Sequence, residues 1–379
     1  MGLHYGNHSV LIQLLLALTQ VQAIYYPVRE YRGRSFFDRW DFYGNVDNTT
    51  WGNVTYLDQA DAFSQGLAYV NGAGHAIMKV DNTTTIHPAP LVSRSSVRIT
   101  SQDTYGAGNI IVVDIVHIPY GCSVWPSFWT LGTGVWPGSG EIDIIEAINL
   151  MTRNQYALHS AVGCYLDPNA RMTGNVYGTN CSMGSGCVVG ENRPNSYGAG
   201  FAQAGGGVWA AQLDVTGVYI WFWSRPDIPD NVKSANANST LDPSSWGTPS
   251  AAYVATTCNY PQFFSPQQLV FTTTLCGVWA GVPNTYRSTC HTPTGSCVND
   301  CVIGPGSPTY DNAYWEVSYV KTYVAAGSQL NSTATGSGKG ASSTSKSAAA
   351  RVVSGRWYEL SAAVLFGFVG TAVGVVGMV

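Results

Sequence analysis

The chain has 379 residues, of which only 11% are charged, and its net charge of −4 comes with no basic stripe. That pattern argues against nucleic acid as a partner. An average soluble domain carries roughly 25% charged residues; the shortfall here, with 12 Trp, 22 Tyr and 42 Gly, suits a secreted, turn-rich β protein that handles sugars.

Residues 1–23 read as an export signal. Val10 to Leu18 forms an apolar core, and Val21-Gln22-Ala23 offers small residues at a cleavage site, although no Lys or Arg precedes the core. The mature chain is then expected to begin near Ile24. Residues 24–325 show strand patterns punctuated by Gly, Pro and Asn, at Ser96 to Ser101, Asn109 to Ile118, Val218 to Trp223, Gln268 to Leu275 and Ala313 to Val324. No segment reads as an amphipathic helix. Many short strands between turn signals predict an all-β sandwich in one domain.

Within this body, Glu141 to Glu146 reads Glu-Ile-Asp-Ile-Ile-Glu. Isoleucine favours strands, and alternation puts Glu141 and Asp143 on one face. Strict alternation would turn Glu146 away, among the isoleucines, where an unpaired carboxylate is costly. One extra residue in a β-bulge at Ile144-Ile145 returns Glu146 to the acidic face. Clustered carboxyls resist ionisation, so the segment points to acid-base chemistry rather than to a solvated edge strand.

Aromatic residues surround this segment. Trp125 and Trp129 precede it, four apart and so on one strand face; Trp136 lies in a Gly-rich loop before Pro137; Trp279 lies in a second glycine-flanked loop. Indole rings stack on sugar rings, so Trp129, Trp136 and Trp279 are candidate binding residues. Core packing is the competing reading for any single Trp. His159 is the candidate polar contact, placed for a neighbouring antiparallel strand.

Nine cysteines, all between Cys122 and Cys301, fit an oxidising compartment. The odd count leaves at least one outside an intrachain pair. Cys290, His291, Cys297 and Cys301 match no common zinc spacing, and disulfides are the expected use. Sequons begin at Asn48, Asn53, Asn82, Asn180, Asn238 and Asn331, with another at Asn7 in the signal. Residues 326–350 are a Gly/Ser/Thr-rich linker. Residues 351–379 comprise a polar spacer and an apolar tail, the pattern of a GPI-attachment signal, with a transmembrane tail as the alternative. Either places the domain outside the cell and tethered to a membrane. A phosphatidylinositol-specific phospholipase should release the protein; detergent extraction of intact protein without such release would sink the GPI reading.

Together these residues resemble glycoside hydrolase family 16, in particular fungal laminarinase-type endo-1,3(4)-β-glucanases. The resemblance covers nearly all of 24–325. Its centre is Gly140-Glu141-Ile142-Asp143-Ile144-Ile145-Glu146. It extends to Trp125-Pro126 through Trp129, to Trp136-Pro137, to Leu158-His159 with Gly163-Cys164, to Trp246-Gly247-Thr248-Pro249 and to Ala313-Tyr314-Trp315-Glu316. Ala147, Ser160 and Val208 depart from the usual residues, and none is a carboxylate.

The resemblance implies a concanavalin A-like β-jelly-roll of two antiparallel sheets with a concave glycan cleft. It also implies retaining hydrolysis of β-1,3 and β-1,3/1,4 glucans, with Glu141 as nucleophile, Glu146 as general acid/base and Asp143 as the residue that sets the nucleophile's charge. A wall-remodelling transglycosylase using the same site is the first alternative. A non-catalytic, lectin-like glucan binder is the second. The expected partner is a β-glucan; no cofactor or metal is called for, and a monomer is expected.

Overall fold

The structure is a computed structural model that describes residues 24–328 apart from 291–292. The expected signal, His291, Asn331, the tail and all but the first residues of the linker lie outside the described residues. Strands begin at Tyr25 and end at Ala325.

Two antiparallel sheets of eight strands each form the body. The first runs in the order Ala251–Val254, Gly217–Ser224, Gly207–Asp214, Asn109–His117, Tyr314–Ala325, Ala76–Lys79 and Ala68–Val70, with Tyr25–Arg32 also pairing on Tyr314–Ala325. The second runs Asn175–Val176, Cys187–Gly190, Gln155–His159, Glu141–Glu146, Val124–Gly132, Gln267–Leu275, Arg98–Tyr105 and Trp40–Phe42. A small parallel pair, Val54–Tyr56 with Arg94–Ser96, stands apart. Helices among the described residues span seven residues or fewer, such as Gln59–Ser64 and Pro283–Thr289.

One expected strand is split. Ser96 to Ser101 divides at Val97, so that Arg94–Ser96 leaves the large sheet and Arg98–Tyr105 remains in it. The fully buried Arg94 guanidinium donates to the carbonyls of Asp81, Thr84, Val302 and Gly304. A buried charge needs that many acceptors, and reaching them draws the segment out of the sheet.

The core lies between the sheets. Trp209, Phe222 and Trp315 from the first sheet share one cluster with Phe128, Ile142, Leu158 and Phe271 from the second. Phe271 meets Trp315 edge-on at 5.2 Å, tying the layers together. Alternation leaves each sheet an outer face. On the first sheet, Trp221 and Trp223 bury that face against Trp246, Val232 and Leu241 from the segment after Ser224. The outer face of the second sheet carries the carboxylates.

Four disulfides, Cys122–Cys290, Cys164–Cys258, Cys181–Cys187 and Cys276–Cys297, account for eight of the nine cysteines. The remaining thiol, Cys301, is buried. The Cys290, Cys297 and Cys301 cluster is therefore a junction of two disulfides beside one thiol. Cys122–Cys290 and Cys276–Cys297 brace the loop that carries Trp279.

Candidate active site

The bulge forms where the doubled isoleucine places it. Glu141 pairs with His159 and Asp143 with Ala157, then the register shifts before Glu146 meets Gln155. On the other side Asp143 opposes Trp129 and Glu146 opposes Ser127, again with a shift between. Ile142, Ile144 and Ile145 all enter the core, while the three acids share the outer face. Burying two consecutive isoleucines supplies the apolar gain that holds the extra residue in place.

A bulge interrupts backbone pairing, and Asn154 repairs it. Its Oδ1 accepts the Glu146 backbone N–H at 2.9 Å, and its Nδ2 donates to the Ile144 carbonyl at 3.0 Å. The buried amide thus joins both ends of the irregularity. Gly140 enters the strand at φ +81°, and a Cβ there would stand 2.3 Å from the Phe264 ring. Only glycine meets both conditions.

Each glutamate has an indole donor. Trp136 Nε1 donates to Glu141 Oε2 at 2.7 Å, and Trp125 Nε1 donates to Glu146 Oε1 at 2.9 Å. Gln155 Nε2 reaches Glu146 Oε2 at 3.4 Å. His159 Nε2 lies 3.4 Å from Asp143 Oδ2 and 3.9 Å from Glu141 Oε1. Burial pushes the carboxyls of Glu141, Asp143 and Glu146 each up to about 8. The neighbouring Asp143 adds to the rise at both glutamates, whereas the indoles and His159 oppose it. The trio therefore retains protons near neutrality, and its three carboxyls titrate as one coupled set.

The aromatic candidates divide. Trp136 is 50% exposed, and its ring lies 6.0 Å from that of His159, so both border the acids. Trp279 is half-buried and meets Trp125 edge-on at 5.4 Å. Trp129 shares the acidic face but is only 7% exposed; its Nε1 donates to Thr272 Oγ1, and the Arg98 guanidinium lies 5.4 Å over its ring. A cation already covers the ring, which leaves little of Trp129 for a sugar to stack on.

Reading the sequence missed Asn154 and Gln155 and gave Trp125 no role at the acids. Gln155 sits on the neighbouring strand, four residues before His159, and alternation gives the two one face. That signal was present. Asn154 carried none, because its contacts depend on the bulge.

Among the described residues, Glu141, Asp143 and His159 bring one ligand atom each within 4.8 Å of one another. Two carboxyls and an imidazole could hold a divalent cation. The same groups are the nucleophile candidate and its neighbours, and the indole on Glu141 leaves one of its oxygens already engaged. Of the sequon asparagines, Asn48 and Asn238 are exposed. Asn53 and Asn82 are half-buried, and their amide nitrogens donate to the Val92 carbonyl and to Asp311.

Residues 40–323 match the XgeA-like catalytic domain model of glycoside hydrolase family 16. The chain belongs to glycoside hydrolase family 16. A probable endo-1,3(4)-β-glucanase of Aspergillus fumigatus is 37% identical over 329 residues, which are 83% of this chain and 48% of that protein. The chain thus spans about half the length of this curated relative. An endo-1,3(4)-β-glucanase of Arthroderma benhamiae is 36% identical over 82% of this chain and 67% of its own. Laminarinase 16A of Phanerochaete chrysosporium, solved with 6-O-glucosyl-laminaritriose in donor and acceptor sites, superposes with a TM-score of 0.74 at 34% identity, over 79% of this chain and all of that one. An elongating family 16 β-1,3-glucosyltransferase gives a TM-score of 0.72 at 35% identity, over 79% of this chain and all of its own. The two antiparallel sheets of this family 16 domain are the jelly-roll that the resemblance implied.

For this family 16 strand, Asn154→Ala should leave the Glu146 N–H and the Ile144 carbonyl unpaired. The expected cost is about 2 kcal/mol or more, read as a lower denaturation midpoint. An unchanged midpoint would mean that the bulge does not depend on Asn154.

Proposed function

We propose that this chain is a retaining endo-glucanase acting on β-1,3 and mixed β-1,3/1,4 glucans. One observation carries the proposal: a bulged strand presents Glu141, Asp143 and Glu146 on one face, with a separate indole donor on each glutamate. The names of the relatives and of the solved neighbours support the substrate class.

Glu141 is the nucleophile. Its Trp136 hydrogen bond and the nearby His159 ring favour the carboxylate, and Oε1 is left to attack the anomeric carbon. Glu146 keeps its proton and gives it to the leaving glycosidic oxygen as that bond breaks. A covalent glycosyl-enzyme results. Glu146, now ionised, takes a proton from water, whose oxygen attacks the same carbon and releases Glu141. Inversion twice over gives net retention. Asp143, buried between them and protonated near neutrality, keeps a negative charge from standing beside Glu141.

A second reading has its own support. The similar glucosyltransferase is described as elongating, and a glucan hydroxyl can replace water in the second step without any change to the carboxyls. Incubation with laminarin and mixed-linkage glucan, followed by reducing-sugar assay and product sizing at high oligosaccharide concentration, separates the two. Hydrolysis raises reducing ends; transfer gives products longer than the substrate. Neither outcome would leave a glucan binder.

The protein is proposed to work outside the cell, tethered by its C-terminal segment, with N-glycans at the exposed Asn48 and Asn238. The four disulfides support an oxidising compartment.

A further inference from the structure

Past the Glu146 end of the acidic strand, a groove of about 460 Å³ opens beside the loop that carries Trp279. Its lining includes the Cys276–Cys297 disulfide, Trp51, Asn53, Val278 and Arg287. Among the described lining residues Arg287 alone is charged, a composition that suits a neutral, hydroxyl-rich ligand.

The outstanding residue is Trp51. It is 72% exposed, and it sits at φ +54°. A bulky residue in the left-handed region is strained, and such strain persists only when its surroundings impose it. Here they do. The buried Asp47 carboxylate accepts the backbone N–H groups of Thr49, Thr50 and Gly52, and the Thr274 hydroxyl. Thr274 belongs to strand Gln267–Leu275 of the second sheet, so the loop is fastened to the sheet that bears the acids. Cys276, also in the lining, is another of the five described non-glycine residues at positive φ.

The groove joins the active site through a run of contacts. Trp125 donates to Glu146 and meets Trp279 edge-on. Trp279 lies in the short helix Gly277–Ala280, whose Val278 N–H donates to the Thr50 carbonyl at 2.9 Å, next to Trp51. Glu146 protonates the leaving group, so this side receives the leaving or accepting part of the chain.

We propose that the glucan site continues past Trp279 into this groove, where the Trp51 indole stacks on a sugar ring on the acceptor side of the bond cleaved. This inference rests on the glucanase reading for its ligand. It also bears on Asn53: a glycan there would fill the groove, so Asn53 is expected to be unmodified.

Titration of Glu141→Gln protein with laminariheptaose and with laminaritriose tests the groove without relying on turnover. Adding Trp51→Gly should weaken heptaose binding about five- to tenfold and leave triose binding within about twofold. Trp51→Phe should restore most of the heptaose affinity. Glycine accepts φ +54°, so the melting temperature of Trp51→Gly should stay level or rise, which separates lost binding from lost folding. Heptaose affinity unchanged by Trp51→Gly, absent in the parent, or lost equally for the triose overturns the groove, as does full glycan occupancy at Asn53 in secreted protein. Laminarin turnover by the unaltered chain is read separately. An inactive chain that binds heptaose through Trp51 overturns the catalytic reading alone.

Discussion

Glu141→Ala should abolish glucan hydrolysis, with a loss of roughly 10⁴-fold or more, the scale seen when a nucleophile is removed from a set of catalytic groups that act together. The acid on Glu146 survives this change, because its indole donor is Trp125 rather than Trp136. Added azide should therefore restore turnover of an activated aryl β-glucoside. Azide enters the space vacated by the side chain and attacks the anomeric carbon once, so the product is the α-glycosyl azide. Ala is the informative replacement, since it opens that space while leaving Ile142 and Asp143 in register. Full activity in Glu141→Gln would refute the assignment. Azide rescue giving a β product would place the nucleophile elsewhere.

The second large effect concerns stability. Asp143 is 2% exposed, and burial raises its carboxyl to about 8. In the unfolded chain an Asp titrates near 3.9. Between those values the folded state holds a proton that the unfolded state has lost. Stability therefore falls as pH rises from about 4 toward 8. Below pH 4 both states are protonated and the penalty vanishes. Asp143→Asn removes the titration while keeping the shape. It should raise stability by about 4 kcal/mol at pH 7, since the Asp143 proton alone costs the parent about 1.4 kcal/mol for every pH unit climbed between about 4 and 7, and should change nothing near pH 3. Activity should fall about 10²-fold, because an amide cannot exchange a proton with Glu141 as the nucleophile's charge changes, whereas the Asp143 carboxyl can. Thermal denaturation across pH 3–8 reads the first effect, and kcat on laminarin the second. A variant no more stable than the parent at pH 7 would show that Asp143 is not held protonated by burial. Stability given up at a functional site is a familiar trade.

Much of this was legible along the chain. The alternation of acids and isoleucines, and the doubled Ile144-Ile145, are local facts. They follow from the period of a strand and from the cost of burying a carboxylate, and they place Glu141, Asp143 and Glu146 on one face before any fold is known. The all-β class was equally local, because turn residues and β-branched runs act over a few positions. The reading of Ser96 to Ser101 as one strand failed for a distant reason: Arg94 needed carbonyls from Val302 and Gly304. Trp129 looked as available for stacking as Trp136, until Thr272 and Arg98 engaged it from other strands.

Local patterning settles which residues can do chemistry here: three carboxyls in six positions, and the bulge that aligns them. Long-range packing sets what surrounds each one. Trp125, Trp136, Asn154 and His159 reach the acids from other strands and loops, and which of them supplies a donor depends on sheet order and register. Those depend on how two sheets pack over one core, a condition that no short stretch of chain contains.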